Sequence, residues 1–228
     1  KSGYASIDEV LSKGQKALSP AAFEAAAQEH NAVILDTRNE ADFVKGFVPR
    51  SIFIGIDGGF APWVGALIQD VKQPILLVAD KDRLAEVITR LSRVGFDNTI
   101  GYLEGGFEAW KMDGRETDFI PTITTHSFAS DWMTDKSPVF DVRKQGQWDT
   151  LHLKDAQHVC LSQINQELAS FPKDNPFYIH CAGGYRSVIA SSILKMRGYH
   201  NMVNIKEGFS AIKQADLTMA SAADNHLV

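Results

Sequence analysis

The chain has 228 residues, a net charge of −5 and 44% apolar residues. This is enough apolar side chain for one large or two small cores, and the acidic balance argues against a nucleic-acid surface. Two cysteines, Cys160 and Cys181, are too few for a disulfide scaffold, and no apolar run is long enough to span a bilayer.

In chain order, residues 1–17 read as an N-terminal extension or linker. Residues 18–118 carry "AVILDTRNEADFVKGFVPRSIFI" (32–54), "ILLVADKDRLAEVITRLSRVGF" (75–96) and "GYLEGGFEAW" (101–110). The polar stretch "RETDFIPTI" (115–123), punctuated by Pro121, reads as a join. Residues 119–220 then repeat the pattern, and 221–228 read as a tail. In the second copy "PVFDV" and "PFYIH" are short apolar runs of strand type, and "HV" closes another short segment. "QINQELASF" has helical spacing. "SVIASSILKMRG" is a helix with Gly198 just past its end, as at a C-cap. "MVNI" is a further strand and "GFSAIKQA" a last helix.

The repetition is specific. Asp36 and Arg38 match Asp141 and Arg143 at an offset of 105, and Phe43 matches Trp148. Gly106 matches Gly208 at an offset of 102. Segments recurring in one order with drifting offsets indicate an old tandem duplication. Strands alternating with helices predict an α/β fold, each copy a mainly parallel sheet with helices on both faces. Residues 1–118 hold 13 Lys/Arg against 18 Asp/Glu and residues 119–228 hold 10 of each, so the negative balance lies wholly in the first half.

Cys181 stands where a buried strand ends and a helix begins near Ser187. In open α/β sheets, ligands bind outside the carboxyl ends of the strands. Gly183 and Gly184 allow a tight curl with inward amides, and a helix N-terminus adds partial positive charge. Such surroundings favour the thiolate, the nucleophilic form of cysteine. Arg186 suits an oxyanion, and the Ser187 hydroxyl is placed to donate to the sulfur. Tyr185 either lines the mouth or is simply exposed. The first copy has Asp80-Lys81-Asp82-Arg83 here. A carboxylate cannot hold sulfur and repels anions, so that copy is expected to be inactive.

"CAGGYRS" (181–187) resembles the active-site loop of rhodaneses, and "DVR" and "EGFSAI" resemble that domain's flanking motifs. The resemblance covers nearly the whole chain as two rhodanese-like modules. It implies sulfurtransfer: Cys181 takes a sulfane sulfur from a small-molecule donor, thiosulfate or a glutathione-type persulfide, and passes it to a thiol or cyanide. The amides of Ala182, Gly183, Gly184, Tyr185, Arg186 and Ser187 would hold the persulfide. Arsenate reductases and cell-cycle phosphatases of the same fold have a loop one residue longer; here the spacing is Cys181-x4-Arg186, a tighter ring that suits a sulfur atom. A rival reading is a module that binds sulfur species without turning them over.

"DGGFAPWVGALIQDVKQPILLVAD" (57–80) and "RVGFDNTIGYLEGGFEAW" (93–110) resemble fusion proteins in which a metallo-β-lactamase-fold persulfide dioxygenase precedes rhodanese modules. The start on Lys1 rather than methionine fits a piece of such a protein. A fused or associated domain of that type is therefore an expected partner, with no membrane or nucleic acid, and a cytoplasmic setting is the default. His126, His152 and His158 form no metal pattern, so no metal and no cofactor are expected. Asp141 and Arg143 recur in both copies and read as a buried structural pair. His180, one residue before Cys181, points to the opposite face of its strand and reads as structural. Cys160 reads as core, as do Phe60 and Trp63, although these two are also placed to cover the vacant pocket of the first copy.

Overall fold

The computed structural model describes residues 6–223; residues 1–5 of the expected extension and 224–228 of the expected tail lie outside it. The chain divides into two compact units between Phe119 and Ile120. The first contains α1 (Ile7–Gly14), β1 (Ala17–Leu18), α2 (Pro20–Glu29), β2 (Val33–Asp36), α3 (Glu40–Phe43), β3 (Ile52–Phe53), α4 (Phe60–Leu67), β4 (Ile75–Val78), α5 (Leu84–Ser92), β5 (Thr99–Leu103) and α6 (Gly106–Met112). The second contains β6 (Thr122–Ile123), α7 (Thr125–Asp135), β7 (Val139–Asp141), α8 (Gln145–Thr150), β8 (His152–Leu153), β9 (Gln157–His158), β10 (Phe177–His180), α9 (Tyr185–Met196), β11 (Met202–Ile205), α10 (Phe209–Ile212) and β12 (Met219–Ala220).

Each unit is built on a five-stranded sheet, ordered β1-β5-β4-β2-β3 in the first and β6-β11-β10-β7-β9 in the second. Counted within each sheet, both orders read first, fifth, fourth, second, third. Every pairing in these sheets is parallel. Helices supply the crossovers that parallel strands require, except between β9 and β10, where the chain makes only 3-10 turns. The second unit adds a small antiparallel pair, β8 with β12.

Strands β4 and β10 sit mid-sheet and are buried along their whole length. That explains why "ILLV" and "FYIH" read as continuous apolar runs rather than alternating ones. The first core gathers Phe23, Leu76, Val78, Phe107 and Trp110; the second gathers Phe128, Val139, Tyr178, Phe209 and Ile212. In the segment expected to be an extension, α1 is N-capped by a Ser6–Glu9 capping box. It packs onto the first unit: Val10 is buried, and a Cβ on Gly14 would lie 2.8 Å from Ile88.

The helix expected over "QINQELASF" does not form. The chain makes two 3-10 turns instead, Leu161–Gln163 and Leu168–Ser170. Phe171 is extended at ψ 135°, as the residue before Pro172 must be, and its ring packs on Phe140 and Phe177. Cys160 is half-buried rather than core. It caps the first of these turns, outside any strand, and its Sγ meets Ser162 Oγ at 3.2 Å. Phe60 is fully buried, while Trp63 is half-exposed beside Gly59. Among the described residues, no helix is long and apolar enough to cross a membrane, and no cluster of side chains could hold a metal ion.

Candidate active site

Strand β10 delivers Cys181 to the carboxyl end of the second sheet, and α9 begins four residues later. The thiol is almost wholly buried. The backbone N–H of Gly184 donates to Cys181 Sγ at 3.2 Å. Gly184 is the N-cap of α9, so the sulfur lies at the positive end of a three-turn helix. This helix starts at Tyr185, two residues earlier than expected, which places half-buried Tyr185 and Arg186 in its first turn. The Ser187 hydroxyl donates to Gly184 O at 2.8 Å, within the loop backbone, rather than to the sulfur as expected. The far end of the helix is stopped at Gly198, whose φ is +87°.

The two glycines of the loop differ. Gly184 has φ +108°, and a Cβ there would meet Lys206 O at 2.4 Å; a Cβ on Gly183 would meet nothing within 4 Å. Only the first is required by geometry. The neighbour that crowds it is the segment Lys206–Ser210. Phe209 N–H donates to Cys181 O at 2.7 Å and Ser210 N–H to Ala182 O at 2.9 Å. Gly208, at φ +60°, brings this segment within 2.5 Å of Cys181 O, measured from where its Cβ would be. "EGFSAI" is therefore a backbone clamp on the cysteine loop. Its glycine, repeated as Gly106, was the sequence signal for this role, but repetition alone does not show what a glycine touches.

Beneath the loop, Arg143 Nη2 lies 2.6 Å from Asp141 Oδ2, both side chains buried. Arg143 Nε donates to both carboxylate oxygens and Nη2 to Leu151 O. Its guanidinium covers the Phe209 ring at 3.7 Å, which braces the clamp. Asp36 and Arg38 make the same pair in the first unit, with Arg38 over Phe107. Removing one partner of such a buried pair costs about 3–5 kcal/mol. Burial pushes the Asp141 carboxyl up, but the His180 and Arg143 charges and the Arg143 hydrogen bonds outweigh it and hold it below the usual range. At Asp36 burial prevails and the carboxyl is pushed up, with repulsion from Asp80 in place of attraction from a histidine.

His180 is fully buried. Its Nδ1 lies 3.1 Å from Cys181 O, so the proton is on Nδ1 and this carbonyl accepts from two donors. Among the described residues its Nε2 has no hydrogen-bond partner, and it lies 4.0 Å from Asp141 Oδ2. Burial drives the His180 pKa below its usual value, and Asp141 offsets this only in part. The unfolded chain then binds a proton near pH 6.5 that the folded chain refuses. The His180 contribution to stability is complete above pH 6.5 and falls below it, by up to about 1.4 kcal/mol per pH unit. Urea unfolding from pH 7.5 down to 5.5 should show this slope, and His180→Asn should flatten it. Equal slopes in the two proteins would contradict the assignment.

The first unit keeps the scaffold without the chemistry. Asp80 is exposed at the end of β4, followed by a 3-10 turn over Lys81–Arg83. Its helix also begins four residues on, so the shortening of this stretch falls in the helix: α5 has 9 residues and α9 has 12. A cavity of about 510 Å³ opens here, lined by residues of both charges, among them Arg38, Asp42, Asp80 and Lys111.

The description "rhodanese-like domain" matches residues 19–113 and again 125–215. The chain belongs to the rhodanese-like family, in two tandem copies. Among curated proteins, the rhodanese-like chain is 30% identical over 88 residues to the uncharacterized protein YqhL of Bacillus subtilis, covering 39% of this chain and 68% of that one. It is 33% identical over 94 residues to the probable adenylyltransferase/sulfurtransferase MoeZ of Mycobacterium tuberculosis, 40% of this chain and only 24% of that protein. Among solved structures, a rhodanese-like domain protein from Staphylococcus aureus aligns over 45% of this chain and all of its own, with 27% identity and a TM-score of 0.41.

Proposed function

We propose that the second rhodanese-like unit is a sulfurtransferase that carries sulfur as a persulfide on Cys181. The observation that carries this reading is the Gly184 amide directed at a buried sulfur in a four-residue turn at a helix N-terminus. The similarity to MoeZ, a probable adenylyltransferase/sulfurtransferase, supports it. In the first half-reaction, the Cys181 thiolate attacks the outer sulfur of a donor such as thiosulfate. The S–S bond within the donor breaks, and sulfite leaves with the bonding electron pair. The new outer sulfur carries the negative charge into the ring of amides. In the second half-reaction, a thiolate or cyanide attacks that sulfur and Cys181 departs as thiolate. No net oxidant is needed, and the kinetics are ping-pong.

The short loop supports sulfur over a phosphoryl group, because the ring closes on the Cys181 sulfur itself. The first unit, with Asp80 in place of the cysteine, serves as a non-catalytic companion in this reading. The direct test is the intact mass of the chain after incubation with thiosulfate or glutathione persulfide and removal of excess donor. One additional sulfur on the peptide containing Cys181 is the expected result; an unchanged mass with both donors would refute the proposal.

A further inference from the structure

The arginine of the cysteine loop is held by an uncharged partner. Arg186 Nη1 donates to Gln147 Oε1 at 2.9 Å. Among the described residues, no carboxylate forms an ion pair with Arg186, whereas Arg143 below it is paired with Asp141. The loop arginine of the inactive unit, Arg83, lies 2.7 Å from Asp57 and 2.9 Å from Glu86. The residue matching Gln147 in that unit is also a carboxylate, Asp42, at the offset of 105 that relates the two Asp–Arg pairs.

Gln147 is exposed, but its backbone and its neighbour Trp148 are held in place. Its backbone N–H donates to Lys144 O at 2.9 Å in the first turn of α8. Its neighbour Trp148 stacks on His152 at 3.7 Å and on His158 at 5.0 Å. His158 Nε2 in turn lies 2.8 Å from Arg143 O. The side-chain oxygen of Gln147 thus approaches Arg186 from an element tied to the Asp141–Arg143 brace. An amide oxygen orients a guanidinium as a carboxylate would, but leaves its full charge for an incoming anion.

We propose that Gln147 is a positioning residue for donor selection: it holds Arg186 beside the cysteine loop with its charge uncancelled, so the site favours sulfur donors whose leaving group bears an oxyanion, a sulfonate or a carboxylate. This inference rests on the sulfurtransfer reading. Gln147 does not touch the reacting sulfur, so its effect belongs in donor binding rather than in the chemical step.

The experiment compares thiosulfate with 2-hydroxyethyl persulfide, whose leaving thiol has no anionic group, on the full chain and on Gln147→Glu and Gln147→Ala. The Glu variant should raise KM for thiosulfate by about tenfold through neutralisation of Arg186, with kcat within about twofold. The Ala variant, which keeps the charge and loses only its orientation, should raise it less. Neither should alter KM for 2-hydroxyethyl persulfide. An unchanged KM for thiosulfate in Gln147→Glu, or an equal rise for both donors, overturns the role of Gln147 while leaving sulfurtransfer intact. Turnover of neither donor by the unaltered chain overturns the sulfurtransfer reading, and this inference with it.

Discussion

Cys181→Ala should reduce sulfur transfer by about 10³-fold or more, to the background rate of donor and acceptor in solution. The covalent route has no substitute once its sulfur is removed. The chain's other cysteine, Cys160, is half-buried beside Ser162 at the start of a 3-10 turn rather than at the N-terminus of an α-helix. The fold should survive the change, because exchanging a buried thiol for a methyl group leaves a gap of about one atom and costs on the order of 1 kcal/mol. Loss of activity with an unchanged far-UV spectrum and a small shift in urea midpoint is therefore the expected pattern. Cys160→Ala should transfer sulfur normally. Full activity in Cys181→Ala would remove Cys181 from the reaction.

Gly208→Ala should have a large effect although it leaves every functional side chain in place. Gly208 adopts φ +60° with ψ −156°, a region that a Cβ disfavours. Its added methyl would lie 2.5 Å from Cys181 O and 3.0 Å from the carbonyl carbon and oxygen of Ala182. All three contacts are backbone, so no side chain can rotate away. Relief requires Lys206–Ser210 to move from the cysteine loop, which breaks the Phe209-to-Cys181 and Ser210-to-Ala182 hydrogen bonds. A destabilisation of about 2–4 kcal/mol is expected from the strain and overpacking. Displacement of the loop by about 1 Å should lower transfer on the order of a hundredfold. Gly183→Ala is the matched comparison for stability, since its Cβ meets nothing within 4 Å. Similar urea midpoints for the two variants would show that the clamp is not what fixes the loop.

Much of the fold was legible because its signals are local. The runs "ILLV" and "FYI" are unbroken apolar stretches, as fits strands covered on both faces, and the repeated Asp–Arg motif placed the two copies in register. Legibility failed where a distant contact overrode a local preference. "QINQELASF" has helical spacing, yet Phe171 is drawn into a ring cluster with Phe140 and Phe177, and Pro172 holds it extended. Ser187 was well spaced to reach the sulfur, but the helix starts at Tyr185 and its hydroxyl is satisfied by Gly184 O.

The sequence by itself determined that there are two copies of one α/β unit, that only the second has a cysteine at the end of its central strand, and that glycines and an arginine follow it. These are statements about residue type and spacing, which a linear chain carries in full. The tertiary structure decided what encloses that cysteine. Gly208 and Phe209 clamp its carbonyl from a segment 27 residues downstream of Cys181, His180 adds a second donor, and Gln147 reaches Arg186 across 39 positions. Such contacts depend on which strands lie side by side, and a parallel sheet brings together strand ends that are remote in the sequence. "HCAGGYRS" carries the sulfur, but the loop takes its shape from segments that only the folded sheet places around it.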